Sequence, residues 1–537
     1  MAKTLELSSE RAGERAQDRR KWWVLVAMVF GLFMPMLDNL VVNVALPTIQ
    51  HKLGAGVSGL QWIIDAYTLT FASFMLTGGA LGDLYGRKRF FMSGLAVFTL
   101  GSLACGLSGS TTTLVGFRAL QGLGAAMLLP GSLSIITATF SGRERGAAIG
   151  IWAAMSGLAI AIGPVVGGLL VEHVSWQSIF FINVPIGITG LLMAHFIVTE
   201  SKDPNTSRRL DPAGLVTGTA GLFFLVYALI EGNARGWRDP LILAAFALSA
   251  VVLVAFFVIE SHRESPMLPL SFFRIPTFTA ANIVAAAVFF AMFGSVFFLS
   301  LYLQNVDGYS PIGAGVRLLA FSLVILVVAP LAGRLSDRYG SRLFMTFGPL
   351  VAGGGLALLL RTHPGSPYFS VLLPAFLVIA AGMASTMTPM TAAVMGSVET
   401  RHAGVASAAT NTSREIGGVF GIALLGAIVT SSFKTGWATS LAAVGLPKAQ
   451  ASAIVAKFGS AAATGGGSFQ AFASHLPPGT PPSVARAVYA SIANPFVHAM
   501  HVAILVAVGF MVLAAAVSAI FVRSHVEREV ESVPALA

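Results

Sequence analysis

The sequence predicts an all-α integral membrane protein of 14 transmembrane helices, arranged as two six-helix bundles plus two extra central helices, with both termini cytoplasmic. Three observations lead there: the composition, a series of fourteen apolar runs, and an internal repeat. Of the 537 residues 55% are hydrophobic and only 10% charged, with a mean hydropathy of +0.79. A surface that faces water carries roughly 25% charged residues, so lipid must cover much of this exterior, and a soluble protein with a large core is excluded. The net charge of +10 does not indicate nucleic acid, because the basic residues lie between apolar runs, where they set orientation in a membrane. The single Cys105 lies in an apolar stretch and allows no intrachain disulfide.

A helix needs about 20 residues to cross the hydrocarbon core. Runs of that length fall at 22–47, 59–81, 89–108, 112–136, 147–170, 178–199, 212–231, 240–260, 276–304, 312–332, 341–360, 367–395, 404–432 and 498–522. The first follows the basic tail ending Arg19-Arg20-Lys21 and is too long for a cleavable signal, so it reads as a retained helix. With the N-terminus inside, 22 of the 33 Lys and Arg fall on the cytoplasmic side and 9 outside. Four of those nine lie in one long outer loop, where the rule has little force. The expected organisation is a cytoplasmic tail at 1–21, a first bundle at 22–199, the two extra helices with their linkers at 200–275, a second bundle at 276–522 that includes an extracytoplasmic loop at 433–497, and a cytoplasmic tail at 523–537.

Two passages recur. Gly79-Ala-Leu-Gly-Asp83-Leu-Tyr-Gly86-Arg87-Lys88 returns as Gly333-Arg-Leu-Ser-Asp337-Arg-Tyr-Gly340-Ser-Arg342, at an offset of 254. A weaker echo links Arg143-x-Arg145-Gly146-Ala147 to Arg401-x-Ala403-Gly404-Val405, at 258. Two similar offsets indicate two homologous halves. Paired halves suit alternating access, in which one bundle rocks against the other around a site near the midplane.

Four motifs carry chemistry. In the first repeated loop, Gly79 and Gly86 allow close packing and a tight turn, while Asp83 can accept hydrogen bonds and pair with an Arg at a helix end. Lys88 and Arg89 serve at least to hold the loop inside. In the fourth run, Leu114-x-x-x-Arg118-x-x-Gln121-Gly122-x-Gly124 places a guanidinium within a span. That costs roughly 2.5–3.5 kcal/mol on insertion scales, so Arg118 needs a partner. The fifth run holds Ala159-x-x-x-Gly163-Pro164-x-x-Gly167-Gly168, where proline removes a helix hydrogen bond and small residues permit close approach. The first run contains Leu37-Asp38-x-x-Val41-Val42-Asn43-Val44-Ala45-Leu46-Pro47. Asp38 lies 16 residues past Trp22, roughly 24 Å along a helix, in the outer half of the span.

With these four motifs, spread from about Trp22 to Val522, the chain resembles the major facilitator superfamily, and within it the fourteen-helix drug:proton antiporters. The resemblance implies the major facilitator fold. It implies that the loop around Asp83 latches the outward-open state, that Arg118 is tied to proton coupling, and that the Gly163–Pro164 motif marks an antiporter. Two departures from the family pattern are Ala159, where Gly is usual, and Leu40, where Thr is common.

Further ionisable groups are Asp65, early in the second run on its outer side, and Arg414-Glu415 in the thirteenth. Adjacent helical residues point about 100° apart, so these two need not pair. His173, His195, His363, His402, His498 and His501 lie near span ends without metal spacing and read as interfacial. Phe289-Phe290 and Phe297-Phe298 read as packing or lipid contact more than as a drug pocket. No nucleotide-binding loop of Walker type and no membrane-face cluster of His, Asp and Glu occurs, so neither ATP drive nor an enzyme is expected.

The predicted function is proton-coupled export of drug-like, lipophilic or cationic small molecules across a bacterial cytoplasmic membrane. Arg outnumbers Lys 25 to 8, as in GC-rich bacteria. Asp38, Asp65 and Glu415 are expected to alternate between protonated and charged forms, with Arg118 and Arg414 tuning them. Asp337 and Gly340 complete the gating set. No cofactor or metal is expected beyond the proton as coupling ion. The partners are the cargo, protons and the bilayer, with no nucleic acid, and the state is a monomer. The alternative is an exporter on the same scaffold for a lipid, a siderophore or an endogenous antibiotic.

Overall fold

The computed structural model describes residues 2–54, 57–140, 142–201, 211–263, 266–309, 311–399, 402–443, 447–463 and 491–523. Among them the regular structure is helical, with no strand. The first half comprises α1 (Ala2–Leu53), α2 (Val57–Tyr85), α3 (Arg87–Gly106), α4 (Thr111–Thr139), α5 (Gly142–His173), α6 (Ser178–Phe181) and α7 (Asn183–Ile197). A hairpin of α8 (Pro212–Arg235) and α9 (Pro240–His262) follows. The second half comprises α10 (Pro276–Leu301), α11 (Pro311–Tyr339), α12 (Ser341–Leu358), α13 (Leu373–Gly396), α14 (Ala403–Ala443), α15 (Lys448–Ala463) and α16 (Ala493–Phe521).

Local chemistry sets the helix starts. The Ser110 hydroxyl accepts from the Thr113 N–H in a capping box that opens α4. Asp211 and Asp239 cap α8 and α9 by accepting from the Gly214 and Leu241 N–H groups at 3.0 and 2.8 Å, and each is followed by proline at the first helical position. In the repeated loops the chain turns sharply at Gly86 (φ 111°) and Gly340 (φ 86°). A side chain at either would be strained, which is why both copies of the loop carry glycine there.

Polarity is inverted relative to a soluble protein. Arg118, Gln121, Asn183 and Asp38 are buried, while Leu100, Phe196, Val251, Val254, Leu323, Val327 and Ile520 are exposed. Such a surface is stable only in lipid. Twelve helical segments among the described residues are long and apolar enough to cross a membrane.

Within the first half α4 packs on α2 and α3, and α5 on α1; within the second α10 packs on α14 and α16, and α13 on α12. Small residues make these approaches possible. A β-carbon on Gly122 of α4 would collide with the Tyr67 carbonyl and Thr70 hydroxyl of α2. The halves meet along α5–α11 and α2–α14. The α8–α9 hairpin, central in sequence, is lateral in space. Helix α8 lies over the seam between α2 and α14, and α9 packs on α8 from outside. Thr77 and Thr219 hydroxyls meet at 2.8 Å, and Trp62 lies 6.3 Å from Tyr227.

Three boundaries differ from the sequence reading. Helix α1 is continuous from Ala2, so the boundary at residue 21 falls inside it. The sixth run is split at Ile182 into α6 and α7. Within the proposed outer loop at 433–497 the described residues are largely helical. Helix α14 continues to Ala443, α15 folds back against it, and α16 begins at Ala493. Phe433 and Trp437 are fully buried, and Trp437 Nε1 donates to Ser491 Oγ at 2.9 Å, so apolar packing continues α14 past the point where hydropathy alone ends it. Residues 464–490 and 524–537 lie outside the described set.

Candidate functional site

The first half is centred on a polar network enclosed by apolar helices. Arg118 of α4 is fully buried and forms an ion pair, through Nη1, with Asp38 of α1. Its Nε donates to the Ile63 carbonyl of α2 at 3.0 Å, and Nη1 also donates to Gln121 Oε1 at 3.0 Å. The guanidinium sits 4.3 Å from the centre of the Tyr67 ring, a cation–π contact. Gln121 Nε2 donates to Asp38 Oδ1 (3.2 Å) and Ser102 Oγ (2.9 Å). Asn183 Nδ2, at the start of α7, donates to the same two atoms at 2.8 and 2.9 Å. Ser102 Oγ in turn donates a hydrogen bond to the Phe180 carbonyl at 3.0 Å. The charge on one carboxylate is thus tied to α1, α2, α3, α4, α6 and α7.

Spacing does not reveal Ser102 or Asn183 as members of this network. The one available signal is an amide inside the otherwise apolar run Phe180-Phe181-Ile182-Asn183-Val184. Asn183→Leu removes one of two donors from each of two buried acceptors, leaving Gln121 as the other, and each lost hydrogen bond is worth about 0.5–1.5 kcal/mol, more for the charged Asp38. A clearly lowered melting temperature in detergent is expected, and an unchanged one contradicts this role.

The other predicted carboxylates do not join the network. Asp65 faces α8, where Glu231 lies within electrostatic reach, and Glu231 pairs with Arg235 at 2.9 Å. Arg414 and Glu415 belong to the second half. Arg414 Nη1 donates to Asn411 Oδ1 at 3.2 Å and Nη2 to Thr391 Oγ1. The Phe289 ring lies 5.3 Å from its guanidinium, so this phenylalanine packs as the sequence suggests, as does Phe290, stacked 3.9 Å from Phe510. Glu415 acts electrostatically on Tyr67, which places it across the seam from the Arg118 network.

The Gly163–Gly168 motif packs α5 against the helix that carries Asp38. Gly163, Gly167 and Gly168 are buried, and a β-carbon at Gly167 would press on Val41 of α1. The side chain of Pro164 lies outside the described set.

The repeated loops form two crossed contacts between the halves. Asp83 Oδ1 accepts from Arg87 Nε at 2.8 Å, and Oδ2 accepts from the Val405 N–H at 2.9 Å. Asp83 thus caps the N-terminus of α14, where the helix dipole favours an anion. Gly404 leaves room for its carboxylate, and Gly79 packs against Gly404 and Ala408. On the other side Asp337 of α11 faces Gly146 of α5, and Gly333 approaches the Gly146 carbonyl. The two echoes in the sequence are therefore each other's partners, because each half supplies one aspartate and one helix N-terminus to the opposite half. Glu200 supports the first loop by accepting from the Lys88 and Arg89 N–H groups at 3.1 and 3.2 Å.

A sequence profile of the Major Facilitator Superfamily matches residues 28–422. The chain belongs to this superfamily. It is 39% identical to the methylenomycin A resistance protein of Bacillus subtilis, over 76% of this chain and 87% of that one. It is 37% identical to the multidrug resistance protein Stp of Mycobacterium tuberculosis, over 77% of each. It is 35% identical to the tetracenomycin C resistance and export protein of Streptomyces glaucescens, over 77% of this chain and 76% of that one. Among solved structures it resembles the proton:xylose symporter XylE, with a TM-score of 0.61 over 94% of this chain and 97% of that one at 13% identity, a likeness of fold alone. This superfamily member is a multi-pass membrane protein, with Asp38, Arg118 and both repeated loops inside the matched region.

Proposed function

We propose that the protein exports drug-like small molecules from a bacterial cell in exchange for protons. The observation that carries this reading is the Asp38–Arg118 pair, shielded from solvent in the half of a chain whose relatives are named for drug and antibiotic resistance. A buried charge left without its partner is strongly unfavourable. Protonating Asp38 therefore leaves Arg118 held by a carbonyl, an amide and an aromatic face, and favours whichever arrangement of the six tied elements relieves it. Helix α2 runs unbroken from Ile63, which accepts from Arg118, to Asp83 at the latch, about 30 Å away at 1.5 Å per residue. It is a rigid link between proton site and gate. The membrane potential adds about 2.3 kcal/mol per charge per 100 mV, which suffices to drive cargo outward.

In this reading α2 and α5, 29 and 32 residues long, span the membrane with the twelve apolar segments, giving fourteen spans with both termini cytoplasmic. The protein acts as a monomer without a cofactor, and the paired latches on the cytoplasmic side mark an outward-facing state. A self-made antibiotic as cargo remains a second reading, favoured by the relative from Streptomyces glaucescens named for resistance and export. Expression in an efflux-deficient bacterium tests both. Raised resistance to several unrelated cationic dyes and antibiotics, abolished by a protonophore, is expected. Resistance to one compound class alone selects the second reading, and resistance insensitive to the protonophore overturns proton coupling.

A further inference from the structure

Among the described residues three arginines are buried, Arg87, Arg118 and Arg414, and they are treated differently: Arg87 is paired with Asp83. Arg118 is neutralised by Asp38. Arg414 is 5% exposed, and its hydrogen-bond partners, Asn411 and the Thr391 hydroxyl, are neutral. Ion pairs among the described residues include Lys21–Glu144, Arg87–Asp83, Arg89–Glu200, Arg118–Asp38, Arg235–Glu231 and Arg263–Asp211, whereas Arg414 has no carboxylate within ion-pair distance among them. Its Nε is buried without a hydrogen-bond partner. Glu415 acts on it only from beyond ion-pair distance, because successive side chains diverge around the helix. A cation at this depth without a carboxylate in ion-pair distance is costly, and two neutral hydrogen bonds, the Phe289 face and the more distant Glu415 offset that cost only in part.

We propose that Arg414 is an anion subsite of the cargo chamber, taking a carboxylate group of the transported molecule. The inference rests on the export reading above and deepens it, since that reading assigns only lipophilic or cationic cargo. Three features fit a carboxylate. The guanidinium presents a planar fork matched to two oxygens, with Nε already available and Nη2 held only by a hydroxyl that can turn away. The Phe289 face beside it suits the apolar body of an aromatic acid. Helix α14 packs on α2 and α4 of the opposite half, and Glu415, the next residue, reaches Tyr67 electrostatically. The subsite therefore lies in the second half, among α10, α13 and α14, on a helix that also forms the seam. An amphoteric cargo could place its cationic end toward the acidic groups of the seam and its anionic end on Arg414.

The test uses the full-length protein in detergent and in proteoliposomes, with 5-carboxyfluorescein as the anionic probe and ethidium as the cationic one. Wild-type protein is expected to bind carboxyfluorescein saturably, with displacement by benzoate and not by its neutral isostere benzamide. Arg414→Gln is expected to weaken carboxyfluorescein binding about tenfold or more, the worth of a charged hydrogen bond, and to leave ethidium binding unchanged, with Arg414→Lys intermediate. Equal displacement by benzoate and benzamide overturns the proposal, and needs no variant that could misfold. So does an Arg414→Gln protein that binds both probes like wild type, or one that loses both alike. Proteoliposome transport separates the two readings: ethidium moved by a pH gradient while carboxyfluorescein is not bound sinks only the anion subsite, whereas no gradient-driven movement of either dye sinks export itself.

Discussion

Asp38→Asn is expected to abolish export driven by a pH gradient in everted vesicles. Asparagine nearly preserves the shape of the side chain and keeps one acceptor for Gln121 and Asn183, but it cannot carry a negative charge or exchange a proton. It also leaves Arg118 buried and uncompensated. Breaking a buried pair by removing one partner typically destabilises by about 3–5 kcal/mol, so the variant should melt at a lower temperature. The double variant Asp38→Asn/Arg118→Gln separates the two effects. Removing both charges restores much of the stability, since a neutral pair in that pocket has no unpaired ion, yet it leaves nothing to titrate, so gradient-driven export stays lost. Gradient-driven export by Asp38→Asn at the wild-type level would refute the assignment of Asp38 as the coupling carboxylate.

Opening of the latches should follow from Asp83→Asn. The substitution removes the anion from the N-terminus of α14 and the pairing with Arg87. A carboxylate at a helix N-terminus is worth about 0.3–2 kcal/mol according to burial, and Asp83 is buried, so the upper end applies. Roughly tenfold in the ratio of the two transporter states is expected, with Asp83→Asn/Asp337→Asn adding further because the two latches are separate contacts. Spin labels at Tyr85 and Tyr339, both exposed at the latch end of their helices, report the separation of the halves. The labels require Cys105, the one cysteine in the chain, to be replaced by Ser, which keeps a donor toward Gln121 Oε1. A shift of the distance distribution to longer values is expected. A distribution unchanged in the double variant would show that the latches do not hold the halves together.

Much of this architecture is legible in the sequence, because partition into lipid is written locally. Twelve of the apolar runs identify a helix by length and hydropathy without reference to any other, and the repeated Gly-Asp-Tyr-Gly loop announces the paired halves. Arg118 signals the need for a partner simply by lying in a span. The sequence could not say which partner, because Asp38 lies 80 residues away in the chain and Asp65 is as acidic. Only the packing of α4 against α1 and α2, permitted by glycines such as Gly122, selects Asp38 and turns Asp65 toward α8. Ser102 and Asn183 were not legible for the same reason: a lone polar residue in an apolar run has no periodicity.

The same division holds at the seam. Two offsets near 254 and 258 are visible by reading, but that Asp83 meets Gly404 while Asp337 meets Gly146 follows only from two halves folded face to face. Hydropathy placed α8 in the membrane, whereas its position over the α2–α14 seam depends on side chains such as Thr219 and Tyr227 meeting a groove made by other helices. What the sequence determined alone is which segments prefer lipid and how many copies of the unit there are, since transfer from water to hydrocarbon is a property of each segment by itself. What only the tertiary structure decided is which buried charge meets which, because that depends on directional contacts, a few ångströms long, between residues far apart in the chain.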